Sequence, residues 1–111
     1  MGVDHSQSIY LPMSYELVDE VLESWCSAHQ LQVSTEYKGE PVRSIQIVGA
    51  RHSKIQIWVD PVSPAGIVSV HLWDYHSQRK EFSGPVDDLN TLLEEAYQLA
   101  TKWLDRPKGN R

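Results

Sequence analysis

Residues 67–75 read IVSVHLWDY, and no other stretch limits the possible folds as tightly. Apolar residues recur at every second position, which is the period of a β-strand. One side of that strand carries Val68, Val70 and Leu72. The other carries Ser69, His71, Trp73 and Tyr75. The first set demands a core against it. The second is large, aromatic and half polar, the composition of a surface that meets something.

The same period marks four further strands. Leu31, Val33, Thr35 and Tyr37 alternate, and Lys38-Gly39-Glu40-Pro41 reads as a turn. Ile45 and Ile47 mark a second strand, and Ile55, Ile57 and Val59 a third. A Pro-rich loop over residues 60–66 leads to the fourth, and residues 79–83 form the fifth. All the connections are short, so neighbouring strands should pair antiparallel.

Helical period brackets the strands. A first helix is expected from Ser14 as N-cap, with Met13 and Val18 as a hydrophobic staple, fading near His29. Its apolar face reads Leu17, Val18, Val21, Leu22, Trp25 and Ala28, and Glu16, Asp19, Glu20 and Glu23 lie opposite. A last helix should open near Gly84-Pro85 or at Asp87. Leu89, Leu92, Leu93, Ala96, Tyr97, Ala100, Trp103 and Leu104 form its stripe, with Asp87, Asp88, Glu94 and Glu95 turned away.

Two helices with one apolar stripe each need one apolar sheet face between them. The expected fold is therefore α+β: a two-layer sandwich of helix, five-stranded antiparallel meander and helix, with both helices on one sheet face. Residues 1–13 read as an N-terminal tail, 14–104 as a single domain and 105–111 as a C-terminal tail. Ile9, Tyr10 and Leu11 in the first tail are apolar enough to dock on the domain.

Tight turns imply a register. Leu72 should pair with Phe82 and Val70 with Ile57. His71 should then lie across from Gln56, and Trp73 from Glu81. Tyr75 and Arg79 are placed for a cation–π contact, and Asp74 for pairing with Lys80. The uncovered face gathers Gln56, Trp58, His71, Trp73, Tyr75 and Arg79, together with Ser44, Gln46, Ser69 and Glu81. Aromatics and arginine are enriched in binding hot spots. Two readings of Trp58 and Trp73 stand side by side: anchors for a partner or second copy, or rings shielded by neighbours such as Arg79 or by the tail.

Charge and cysteine usage exclude several functions. The net charge of −5 disfavours nucleic acid, whose binding rests on phosphate neutralisation. The single cysteine, Cys26, cannot form an internal disulfide, and it reads as a small buried residue. No apolar run is long enough to span a membrane, no signal-peptide core is legible, and the myristoylation-like start at Met1-Gly2 is a loose pattern. The expectation is a cytoplasmic protein with no membrane partner.

His71, Asp74 and His76 are liganding types, but strand geometry sends His71 and Asp74 to opposite faces. Ser69 and His71 share a face about 7 Å apart, too far for a nucleophile and its base. No convergent acid, base and nucleophile set is legible. Neither an enzyme nor a cofactor is expected. The basic group Arg51-His52-Lys54, with Arg43 and Arg79, could meet an acidic partner.

The helix, antiparallel sheet, helix order, with an acidic first helix and a tryptophan-bearing open sheet, resembles the frataxin architecture, and Ile57-Trp58-Val59-Asp60 is the stretch nearest to that family's strand signature. The resemblance covers architecture alone; the Asn-Lys-Gln and Gln-Ile-Trp-Leu strand signatures of that family are absent, and no residue role is carried over. Small immunity proteins and secretion chaperones use comparable layouts. The first reading is a non-enzymatic protein-binding domain that uses its open sheet face. The alternative is a weak metal-ion or small-ligand binding protein, using the acidic stripe or the histidines.

Overall fold

The computed structural model describes residues 15–105. Helix α1 (Glu16–Ala28) leads into strands β1 (Val33–Tyr37), β2 (Glu40–Val48), β3 (Lys54–Val59), β4 (Ile67–Trp73) and β5 (Arg79–Pro85). Helix α2 (Leu89–Asp105) closes the domain after a 3₁₀ turn at Val86–Asp88. The strands form one antiparallel meander in the order β1-β2-β3-β4-β5. Both helices pack on the same sheet face, so the expected two-layer α+β sandwich is the observed one.

Strict alternation makes that core. Along β3 the residues alternate between exposed or half-buried and buried, and β4 repeats the pattern. Ile57, Val70, Leu72, Leu89, Leu93 and Val18 are all within 1% of fully buried. A fully buried side chain of this size contributes roughly 1.5–3 kcal/mol through apolar burial. Val62, in the β3–β4 loop, also reaches the core at 8% exposure.

Helix α1 presents a narrower stripe than its sequence suggested. Val18, Leu22, Trp25 and Cys26 are buried and Val21 is partly buried, but Leu17 is 52% exposed and Ala28 is exposed. The buried residues follow i, i+4, i+7 and i+8, a single line on the cylinder. Leu17 and Ala28 fall beside that line. The N-cap is Tyr15 and makes no side-chain cap. The Ser14 cap, the Met13 staple, the docking of Ile9, Tyr10 and Leu11, and the C-terminal tail beyond Asp105 lie outside the described residues. At the other end His29 is the C-cap, as expected, and Gln30 turns into the left-handed region at φ 59°. Leu31 N then donates to Cys26 O.

Glu94 does not turn away from the fold. It bridges to α1 by accepting from Trp25 Nε1 at 3.1 Å, with His29 Nε2 also at 3.1 Å. Gln98 donates to its second oxygen at 3.0 Å. These hydrogen bonds, led by that from Gln98, hold its carboxyl below the usual range. At the far end of α2, Leu104 lies against Gly49, where an added Cβ would sit 3.0 Å from Leu104 Cδ2. A glycine lets the β2–β3 turn approach the helix this closely.

The register differs from expectation by two residues at both central hairpins. Ile57 pairs with Leu72 rather than Val70, and Val70 rather than Leu72 pairs with Phe82. The cause lies in the loops. The β3–β4 connection is held by Ser63 N to Ile67 O and Gly66 N to Ser63 O, with Gly66 at φ 80°. The β4–β5 turn is closed by Asp74, whose Oδ1 accepts from His76 N at 2.8 Å and Gln78 N at 3.0 Å. Asp74 is thus a turn-forming residue rather than the partner of Lys80, which stands across from Leu72. A two-residue shift keeps every side chain on its face but changes every neighbour.

Candidate functional site: an aromatic groove on the open sheet face

The uncovered face is built by the even positions of β3 and the odd positions of β4. The register sets Trp58 against His71 and Trp73 against both Gln56 and Arg79. The rings of Trp58 and His71 stack, with centroids 4.6 Å apart and planes 12° from parallel. Trp73 tilts against Tyr75 at 4.8 Å, and Arg79 Cζ stands 5.3 Å from the Trp73 ring. The arginine therefore covers Trp73 rather than Tyr75, because Tyr75 sits in the turn at φ 69° and leaves the strand's line. Tyr75 instead accepts at its hydroxyl from Gln46 Nε2 at 2.9 Å. Trp73 Nε1 donates to His76 O at 3.3 Å.

Both tryptophans are half-buried. Neighbours shield part of each ring, and part remains open.

His71 sits between two carboxylates. Its Nε2 is 2.8 Å from Asp60 Oδ2, and its Nδ1 is 3.9 Å from Glu81 Oε1. Glu81 also accepts from Ser83 Oγ at 3.1 Å, which in turn lies 2.7 Å from Ser69 Oγ. Both imidazole nitrogens are turned to carboxylates, so the ring is fixed in orientation and stacked under Trp58. Among the described residues, the hydrogen-bond partner of the imidazole is Asp60, and no hydroxyl bonds to it. Among the described residues, no group of three His, Cys, Asp or Glu side chains could hold a metal ion.

A groove of about 730 Å³ runs over this face. Its lining comes from all five strands: Ser34 and Glu36 of β1, Gln46 of β2, Gln56 and Trp58 of β3, Trp73 of β4 and Arg79 of β5. Tyr15, Tyr37, Arg43, Asp60 and Tyr75 complete it. Five of the six expected site residues line it, and the sixth, His71, supports Trp58 from beside it. The groove's volume lies within the range of ligand-holding clefts.

One strand bends to form a wall. Between the pairs Ser34–Ser44 and Glu36–Pro41, β1 advances two residues and β2 three. The extra residue of β2, at Val42-Arg43, is a bulge, and bulges bend strands. Arg43 then turns to the helix side, where its Nε and Nη2 bind Asp19 at 2.5 and 3.0 Å. Its guanidinium lies 4.2 Å from the Tyr15 ring centroid. Burial, with Asp60 and Asp19 nearby and Arg43 opposing, raises the pKa of Tyr15. Tyr15 therefore stays a neutral hydroxyl at the groove's edge.

Sequence reading missed Tyr15, Glu36, Arg43 and Asp60 as parts of the site. Asp60 carried a usable signal, since it continues the even phase of Gln56 and Trp58. The others depend on the bulge and on where α1 begins, neither of which has a periodic signature.

Three groups in the groove keep unspent capacity. Among the described residues, the Gln56 carboxamide, the Trp58 indole N–H and the Glu36 carboxylate have no side-chain partner. Arg79 likewise has no carboxylate partner there, only the Trp73 ring. No described helix is long and apolar enough to cross a membrane. No protein-family model matches the chain, and no solved structure matches it significantly.

Proposed function

We propose that this protein is a non-enzymatic binding domain that holds a protein partner on its open sheet face. Trp58 and Trp73 are the apolar anchors. Gln56, His71, Tyr75 and Arg79 give polar specificity. The observation that carries this reading is the five-strand groove, lined by aromatic residues together with donors and charges that have no partner among the described residues. Partly desolvated aromatic rings beside arginine are the usual make-up of a hot spot. Concavity favours a narrow partner segment over a flat second copy of the sheet.

Selection from a random-peptide display library tests the reading. Wild-type protein and a Trp58→Ala/Trp73→Ala variant would be panned in parallel, with light scattering run over a concentration series. Peptides enriched on the wild type and lost on the variant support the open face. No enrichment, with a monomer at every concentration, would sink it.

A further inference from the structure

The groove crosses the strands, and that direction constrains its occupant. A partner that adds to a sheet uses an unpaired strand edge. Here the lining comes from β1 through β5 in succession, and the floor's backbone groups are spent on the ladders between those strands. Recognition must therefore come from side chains. Among the described residues, the donors on β3 without a partner are the Trp58 indole N–H and the Gln56 amide. Aromatic residues line it along its length: Trp73 and Tyr75 towards the β5 end, Tyr37 towards the β1 end, and Tyr15.

An extended chain that offers carbonyls, presents flat apolar rings and needs no backbone partner for its own N–H groups matches this arrangement. Proline segments in polyproline II form have these properties, because proline lacks the N–H and fixes the backbone in advance. Aromatic-lined grooves are the general mode by which such segments are held. Four strand spacings of about 4.8 Å make the groove about 19 Å long, the reach of about six residues at about 3.1 Å each.

The two ends differ in charge. Glu36, unpaired among the described residues, lies on β1 at one end. Arg79, without a carboxylate partner among the described residues, lies on β5 at the other. An occupant is complementary when it carries a cation at the β1 end and an anion at the β5 end.

We propose that the groove binds an extended, proline-containing protein segment of about six residues, crossing the strands with its basic end at Glu36 and its acidic end at Arg79. The proposal rests on the open-face reading and specifies its ligand.

Two fluorescein-labelled peptides test it: Lys-Pro-Pro-Leu-Pro-Pro-Glu and its reversed sequence. Both are used because the charged ends fix where the cation and the anion lie while the chiral groove fixes which way the chain runs, and only one of the two sequences meets both conditions. Binding to the full chain would be read by anisotropy, with amide and indole shifts mapping the site. Saturable binding of one peptide is expected, with shifts at Gln56, Trp58, Trp73 and Arg79. Replacing the prolines by Gly and Ser should weaken it at least about tenfold. Glu36→Lys/Arg79→Glu should reverse the preference between the two peptides, a result that loss of folding cannot produce.

Equal binding of the Gly/Ser peptide, or unchanged preference in the charge-reversed variant, overturns the proposal. So does a concentration-dependent dimer that protects both tryptophans and takes no peptide. Overhauser contacts from Ile9 or Leu11 to Trp58, with no peptide bound, would assign the groove to the chain's own segment and also overturn it. Display selection separates this failure from that of the parent reading. Peptides that need Trp58 and Trp73 but lack proline or the charge order refute only the ligand.

Discussion

On β3, Ile55, Ile57 and Val59 are 2%, 0% and 1% exposed. Gln56 and Trp58, on the same strand, keep part of their surface in water. The helix-covered face is filled with branched aliphatic residues whose attraction is non-directional, so packing volume is nearly all that matters there. The open face is arranged in pairs with fixed geometry: a ring on a ring, a guanidinium over an indole, an imidazole between carboxylates. One face spends its side chains on holding the fold. Among the described residues, the other leaves donors and charges uncommitted, the surplus on which the proposed binding rests.

The contrast makes predictions of decreasing size. Leu93→Ala should be the most damaging change, because Leu93 is fully buried. A loss of about 2–5 kcal/mol is expected in urea unfolding. Trp58→Ala, although it removes more atoms, should cost less than about 1.5 kcal/mol, since Trp58 stays partly exposed and its main loss is one stacked ring. If Trp58→Ala proved as costly as Leu93→Ala, the open face would be part of the core and the division would collapse.

A double-mutant cycle on Trp58 and His71 sharpens the same point. Their stacked rings should couple by about 0.5–1.5 kcal/mol, and the cycle Trp58/Gln56 by less. Had the hairpin followed the turn-based register, His71 would couple to Gln56 instead.

The covered side has its own test in the clasp between α1 and α2. The carboxyl of Glu94 titrates below its unfolded value, chiefly because Gln98 and then Trp25 donate to it. A depressed carboxylate stabilises the fold above the unfolded pKa, and that contribution disappears as pH falls through the folded one. The melting temperature of the wild type should therefore fall through the acid range more than that of Glu94→Gln. The Glu94 side chain is 43% exposed, so solvent screening keeps the difference small. Identical acid profiles would remove the clasp as a source of stability. Smallest of all should be native reactivity at Cys26. The thiol is buried, and burial pushes its pKa up, so alkylation should follow unfolding rather than precede it.

The layers and faces were legible because they depend on period alone. Val68, Val70 and Leu72 had to face the helices whatever their partners were. The register was not legible, because it was set by the β3–β4 loop and by the Asp74-closed turn, where a few backbone hydrogen bonds decide between alternatives two residues apart. The site was legible to the same degree. Trp58, Trp73, Tyr75, Gln56 and Arg79 were placed together by phase. Their true neighbours, and the wall from β1, required the loop geometry and the bulge opposite Thr35.

The meander has a consequence during synthesis. Every strand pairs with its neighbour in sequence, so contacts are local and the sheet can assemble quickly. Helix α1 covers only part of its Ile- and Val-rich side, and the rest stays open until α2 leaves the ribosome. At about 5–20 residues per second, the 17 residues of α2 take about 1–3 s to appear. For that interval the nascent chain carries a finished but sticky sheet, and Leu89–Asp105 is the segment whose arrival ends its exposure to aggregation.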